Sequence, residues 1–174
     1  MNTVLSKKNT VARTAIIDAA LLAAACLIPT LSHITALPLY MLNPMLLVLL
    51  TGMLTVRSRT NAFLLAVLLP VVSMLAVGMP APLKALCMAA EMLSIVGVYT
   101  LLQRLWRAAA TRPWASFAAI VAAMLCGKVV YYALKALVIA PAVLVTTPVA
   151  TQAIVALVAA ALFCSVQYLT TRGK

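Results

Sequence analysis

The stretch 73-SMLAVGMPAPLKALCMAAE-91 decides how this chain folds. It holds the end of one apolar run, a Gly-Met-Pro-Ala-Pro turn at 78–82, and the start of a second apolar run. Because glycine and proline interrupt helices, this pattern predicts two helices joined by a tight turn. Lys84 and Glu91 are seven residues apart, which places them on one helix face about two turns from each other. A carboxylate inside an apolar segment usually faces a cavity or a partner, so Glu91 is the first candidate for a functional site.

The composition is that of a membrane protein. Of 174 residues, 66% are hydrophobic and only 9% are charged, which excludes an ordinary soluble domain. No long polar block interrupts the apolar runs, so residues 1–174 are predicted to form a single integral membrane domain. The basic start and apolar core of the N-terminus resemble a signal peptide, but we interpret this segment as a retained first helix.

Six segments are apolar and long enough to predict an all-α, six-helix transmembrane bundle. They are 12–31, 40–56, 60–78, 83–104, 114–140 and 147–169. Four cysteines lie singly in different segments, so we expect them to be packing residues, with no metal site and no disulfide.

The basic residues predict the orientation of the bundle. Thirteen Lys and Arg face only two acids, and in a membrane protein such an excess marks cytoplasmic loops rather than a nucleic-acid site. With six helices, ten basic residues fall on one side, which predicts that both termini are cytoplasmic. The ten are Lys7, Lys8, Arg13, Arg57, Arg59, Arg104, Arg107, Arg112, Arg172 and Lys174. Asp18 lies near this inner end, where a local pair with Arg13 is expected.

Two lysines lie inside the fifth segment, Lys128 and Lys135, again seven residues apart. Lys128 and Glu91 come to comparable depth on antiparallel neighbouring helices, because each lies several turns below the outer end of its helix. The two charges could pair directly or could flank a polar ligand. Lys135 could instead extend its ammonium to the outer surface.

Polar side chains concentrate in the outer half of the predicted bundle, which favours an outward-facing pocket with a sealed floor. Three lysines against one glutamate favour a ligand with a carboxylate or phosphate. Several candidates also have simpler explanations: His33, in a predicted outer loop, could be merely exposed, Asn43 could be a helix N-cap, and Lys84 could be solvated. The substrate-binding candidates are Glu91, Lys128, Lys84, His33, Asn43, Tyr131, Lys135 and Gln152.

The first helix carries small residues every four positions, at Ala15, Ala19 and Ala23. Such a stripe lets another helix approach closely. Packing inside the bundle, or a merely alanine-rich segment, would explain the same pattern.

The chain resembles the substrate-binding membrane subunit, or S component, of an energy-coupling factor (ECF) transporter. The resemblance covers nearly the whole chain through its length, six helices, inside termini and alanine stripe. It is carried locally by 38-PLYMLNPMLLVLLTGML-54 and by 68-LLPVVSMLAVGMPAPLKALCMAAEMLSIVGVY-99. The second stretch is similar to the Pro-x-x-Ser, Gly-Met-Pro and Glu-to-Gly segments common in these subunits.

The resemblance implies a function. Such a subunit captures a vitamin or similar micronutrient at the outer face of a bacterial cell membrane. It docks through its first helix, here Ala15, Ala19 and Ala23, on a membrane scaffold subunit that carries two cytoplasmic ATPases. The chain itself has no G-x-x-x-x-G-K-[ST] motif, so ATP hydrolysis is expected in the partner subunits. The resemblance implies neither an enzymatic activity nor a cofactor for this chain.

Three other classes remain open from the residues, and one of them is an assembly or structural membrane protein with no ligand. A stand-alone secondary transporter would need an alternating-access path and usually internal repeats, which are not visible. A membrane-embedded enzyme using metal-dependent phosphotransfer would need clustered carboxylates, and two acids at opposite depths do not supply them.

Overall fold

The computed structural model describes residues 2–35, 43–56, 58–78, 80–106, 113–138 and 149–172, and these residues are almost entirely helical. The described helices are α1 (Asn2–Thr35), α2 (Pro44–Val56), α3 (Arg59–Val77), α4 (Pro82–Leu105), α5 (Pro113–Val138) and α6 (Val149–Arg172). The predicted all-α fold is confirmed. The largest difference is in α1, which begins ten residues before the predicted 12–31 and continues four residues beyond it.

Five of the described helices are long and apolar enough to cross a membrane, which makes the chain a multi-pass membrane protein. The exception is α2, whose 13 described residues span about 20 Å at 1.5 Å per residue. A hydrocarbon core is about 30 Å thick. The predicted segment 40–56 includes positions before Pro44 that lie outside the described residues.

Two apolar clusters hold the described helices together, and α2 and α4 contribute to both. One cluster joins α2, α4, α5 and α6, with Ile95 and Ile120 fully buried in it. The other joins α1, α2, α3 and α4 around Leu49, Leu65 and Val96. Adjacent residues on a helix point about 100° apart, so Ile95 and Val96 serve different clusters. The middle of α4 therefore packs against other helices on two sides.

The turn between α3 and α4 follows the sequence prediction. α3 ends at Gly78, which has the left-handed φ of 72° and donates its N–H to the carbonyl of Met74. Glycine adopts this conformation without the steric penalty of a Cβ atom. Pro82 takes the first position of α4, where its missing N–H costs no helical hydrogen bond.

α4 and α5 approach each other closely at Gly127. A Cβ atom added there would lie 3.1 Å from the backbone oxygen of Glu91 and 2.5 Å from Cγ1 of Ile95. Glycine therefore sets the separation of the two helices at the level of Glu91. The next residue along α5 is Lys128.

Candidate functional site

Glu91 and Lys128 form a direct ion pair between α4 and α5. Nζ of Lys128 lies 2.6 Å from Oε1 of Glu91, and the side chain of Glu91 is only 7% exposed, whereas that of Lys128 is 28% exposed. At this distance the ammonium of Lys128 is the direct ionic partner of the buried carboxylate. The structure thus adopts the direct pair, one of the two arrangements that the matched depths of the charges allow.

The position of this pair follows from the lengths of its helices. Glu91 lies nine residues after Pro82, about 14 Å along α4, and Lys128 lies ten residues before Val138, about 15 Å along α5. Because the helices are antiparallel neighbours, equal distances from these ends bring the charges level. The ion pair therefore lies about 14–15 Å from these helix ends, which is close to half the 30 Å thickness of a hydrocarbon core.

Aromatic side chains lie beside the exposed flank of Lys128. The ring of Tyr131 lies 5.4 Å from Nζ of Lys128, within the range of a cation–π contact. Tyr131 and Tyr132 meet edge to face at 5.4 Å. The hydroxyl of Tyr132 donates a 2.9 Å hydrogen bond to Oε1 of Gln152, which joins α5 to α6. Tyr131 is thus beside the ion pair, whereas Tyr132 and Gln152 bind each other.

The remaining candidates fall into different surroundings. Lys135 is buried, with 6% of its surface exposed, so the predicted extension to the outer surface is wrong. Lys84 is exposed in the first turn of α4. His33 lies within α1, not in the predicted outer loop, because that helix continues to Thr35. The structure brings Glu91, Lys128 and Tyr131 together.

Asn43 has a backbone explanation. It has the left-handed φ of 47° immediately before Pro44, and its carbonyl accepts hydrogen bonds from the N–H groups of Leu46 and Leu47. Asparagine is one of the few residues besides glycine that adopts this conformation readily. Its place at the start of α2 therefore needs no ligand.

The alanine stripe of α1 is exposed at all three positions, Ala15, Ala19 and Ala23. Of the apolar window Val11–Ile28, only 6% is buried. The explanation that the stripe packs inside the bundle is thus wrong for the described residues. The opposite face of α1 meets α2 and α3, where Ala25 is buried.

Sequence reasoning missed a polar cluster near the C-terminal end of α4, at the opposite end of the bundle from Lys84. Nε2 of Gln103 donates to the hydroxyl of Tyr99 at 2.9 Å, and that hydroxyl lies 3.5 Å from Oε1 of Gln167. These side chains line an open cavity of about 240 Å³, together with Arg59 and Phe163. The i, i+4 spacing of Tyr99 and Gln103 was the signal that could have shown it.

Asp18 also lies toward this end, and its partner differs from the prediction. Nδ2 of Asn61 donates a 2.8 Å hydrogen bond to Oδ1 of Asp18, linking α1 to α3. The expected local pair with Arg13 is therefore wrong.

Fold and site together define a polytopic α-helical membrane protein with a buried ion pair between two spanning helices. Comparisons with protein-family models, with curated protein sequences and with solved structures found no match to this chain.

Proposed function

We propose that this protein is the substrate-capture subunit of an ECF-type importer. In this role it binds a vitamin or similar micronutrient that carries an anionic group, in a pocket at the outer side of the bundle. It then docks on a membrane scaffold subunit that carries two ATPases. The observation that carries the proposal is the exposed small-residue stripe on an apolar helix that is itself largely unburied.

The stripe supports docking because it has no packing role within the described bundle. Ala15, Ala19 and Ala23 are exposed, so their small size is not required by a neighbouring helix of this chain. Small residues at this spacing allow two helix backbones to approach closely in a membrane. A helix of a scaffold subunit is the partner that would use such a surface.

The ion pair supports capture of an anionic ligand. Lys128 keeps part of its side chain exposed, lies beside the ring of Tyr131 and is the ionic partner of the buried Glu91. An anionic ligand group would bind the ammonium of Lys128, and a donor on the ligand would satisfy Glu91. Without ligand, the two side chains neutralise each other across the α4–α5 contact.

The electrostatic balance at this end also favours an anion. Lys84, Lys128 and Lys135 lie in the outer halves of α4 and α5, against the single acid Glu91. Ten basic residues at the opposite end favour a cytoplasmic location for both termini, in a bacterial cell membrane. Lys84 is exposed near the outer end, where it would attract anions toward the pocket.

Uptake measurements test this function. Proteoliposomes would contain the chain alone, or the chain with scaffold and ATPases, and accumulation of radiolabelled water-soluble vitamins would be followed with and without ATP. We expect binding by the chain alone and ATP-dependent accumulation only with the partners. Accumulation by the chain alone would identify a secondary transporter, and chemical conversion of the ligand would identify an enzyme.

A further inference from the structure

A groove opens on the surface of the bundle between the start of α3 and the end of α4. Its volume is about 470 Å³. Arg59, Thr60 and Phe63 line it from α3, and Thr100, Leu101 and Arg104 line it from α4. These positions recur at helical spacing on each helix, so each set forms one continuous face. The groove is separate from the Glu91–Lys128 pair and does not depend on the proposed function.

One end of the groove is strongly positive. Arg59 and Arg104 are both exposed, and within the described part of the chain neither is in an ion pair. No acid lines the groove, and Asp18, the acid at this end of the bundle, is hydrogen-bonded to Asn61. Arg59 is also the first residue of α3, where the helix dipole favours an anion. The charge at this end is therefore suited to a phosphate group.

Hydroxyl groups contribute unequally to this end. The hydroxyl of Thr100 donates to the carbonyl of Gly97 at 2.9 Å, so its proton is already used. Thr60 is exposed in the first turn of α3 and can donate to an oxyanion. Two guanidinium groups and one hydroxyl group are thus the donors of the groove.

The other end of the groove is apolar and has an open floor. The side chains of Phe63 and Leu101 are 37% and 55% exposed on the surface of the bundle. Gly97 also lines the groove, and a Cβ atom added there would meet nothing within 4 Å. A glycine inside a helix lowers helix stability relative to alanine, and no protein contact requires one here. Its effect is to leave the floor open.

The depths of the two ends match the parts of a phospholipid. Arg59 and Arg104 lie at the ends of spanning helices, where lipid headgroups lie. Gly97 lies seven residues before Arg104, about 10 Å deeper along α4. We propose that this groove binds an anionic phospholipid, with the phosphate on Arg59 and Arg104 and an acyl chain over Gly97 between Phe63 and Leu101.

Native mass spectrometry tests this proposal directly. The purified protein would be mixed in detergent with equal amounts of phosphatidylglycerol and phosphatidylcholine that carry the same acyl chains, and the two bound forms would be counted. An arginine that contacts the lipid headgroup contributes about a fivefold preference for an anionic lipid, and the effect falls off with distance from the headgroup. We therefore expect wild type to prefer phosphatidylglycerol, and Arg59→Gln and Arg104→Gln each to lower that preference about fivefold.

A matched charge control and a steric variant separate a lipid site from general basicity. Arg13→Gln removes an exposed charge from α1 at the same end and should leave the preference unchanged. Gly97→Leu fills the floor without changing charge and should reduce the amount of phosphatidylglycerol bound, while Gly97→Ala should reduce it less.

Three outcomes would overturn the proposal. The first is equal loss of preference in Arg13→Gln, which would show only a diffuse charge effect. The second is full lipid binding by Gly97→Leu. The third is displacement of the lipid by millimolar inorganic phosphate alone, which would show a free-anion site without a role for the acyl chain. Thermal stability of each variant in detergent shows whether the fold is retained.

Discussion

Nζ of Lys128 lies 2.6 Å from Oε1 of Glu91, so the acid of α4 and a base of α5 meet inside the bundle. One charge near the middle of a membrane helix costs about 2.5–3.5 kcal/mol on insertion scales. The pair offsets part of this cost for both helices. Gly127 immediately precedes Lys128, and the backbone of Glu91 lies close to it, so the charge contact and a close helix contact are adjacent.

The ion pair predicts a specific pattern of stabilities. Glu91→Gln and Lys128→Met should each destabilise the protein, because each leaves one buried charge without its partner. Loss of one member of a buried pair costs about 3–5 kcal/mol, and the partial exposure of Lys128 should bring the value for Glu91→Gln toward the lower end. The double variant should recover much of the loss. Thermal unfolding in detergent measures all four proteins.

Ligand affinity distinguishes a binding role from a purely structural pair. If both side chains contact the ligand, each single change should weaken binding by about 2 kcal/mol, as expected for a charge-assisted hydrogen bond. The double variant should then be stable yet remain a weak binder. Full affinity in the double variant would rule out ligand contact by Glu91 and Lys128.

Two glycines provide a matched test of the α4–α5 contact. Gly127→Ala places a methyl group against Ile95 and the backbone of Glu91, and we expect it to destabilise the protein by about 1–3 kcal/mol. Gly97→Ala places the same methyl group in open space and should be neutral or stabilise α4 by about 0.5–1 kcal/mol. Equal stabilities of the two variants in thermal unfolding would contradict the close approach at Gly127.

The alanine stripe predicts a separation of assembly from ligand binding. Ala19→Trp should block co-purification with the scaffold while leaving ligand affinity and stability unchanged, because the side chain is exposed and bulk there keeps two helix axes apart. Ala20→Trp is the control, since Ala20 is also exposed but points about 100° away. A normal yield of scaffold with Ala19→Trp would show that the stripe is not the docking surface.

The charge distribution predicts the orientation of the bundle. In a variant without the four native cysteines, Lys8→Cys and Arg107→Cys should be protected from an impermeant thiol reagent applied to intact cells. Lys84→Cys should react, because Lys84 is exposed at the opposite end of α4 from Arg104. The reverse labelling pattern would show that the termini are outside.

Local sequence signals were sufficient for most of the fold. Prolines and glycines mark the connections, so the predicted start of α4 at residue 83 lies next to the observed Pro82. The N-terminus of α1 was the exception, because its polar residues carry no strong helix-stopping signal before residue 12. Helix periodicity and length also placed Glu91 and Lys128 at one depth. The sequence pattern alone does not show whether two side chains at the same depth are in contact.

The helical class, the positions of the helices and the depth of each buried charge can be read from the sequence, because apolar length and turn residues act locally. The contacts between side chains can be seen only in the folded bundle. It paired Glu91 with Lys128 directly, gave Asp18 the amide of Asn61, and left Ala19 exposed. These outcomes depend on how each helix is rotated about its axis and on which neighbours it packs against. That choice is made by side-chain volume across helix contacts, such as the one at Gly127, between residues distant in sequence.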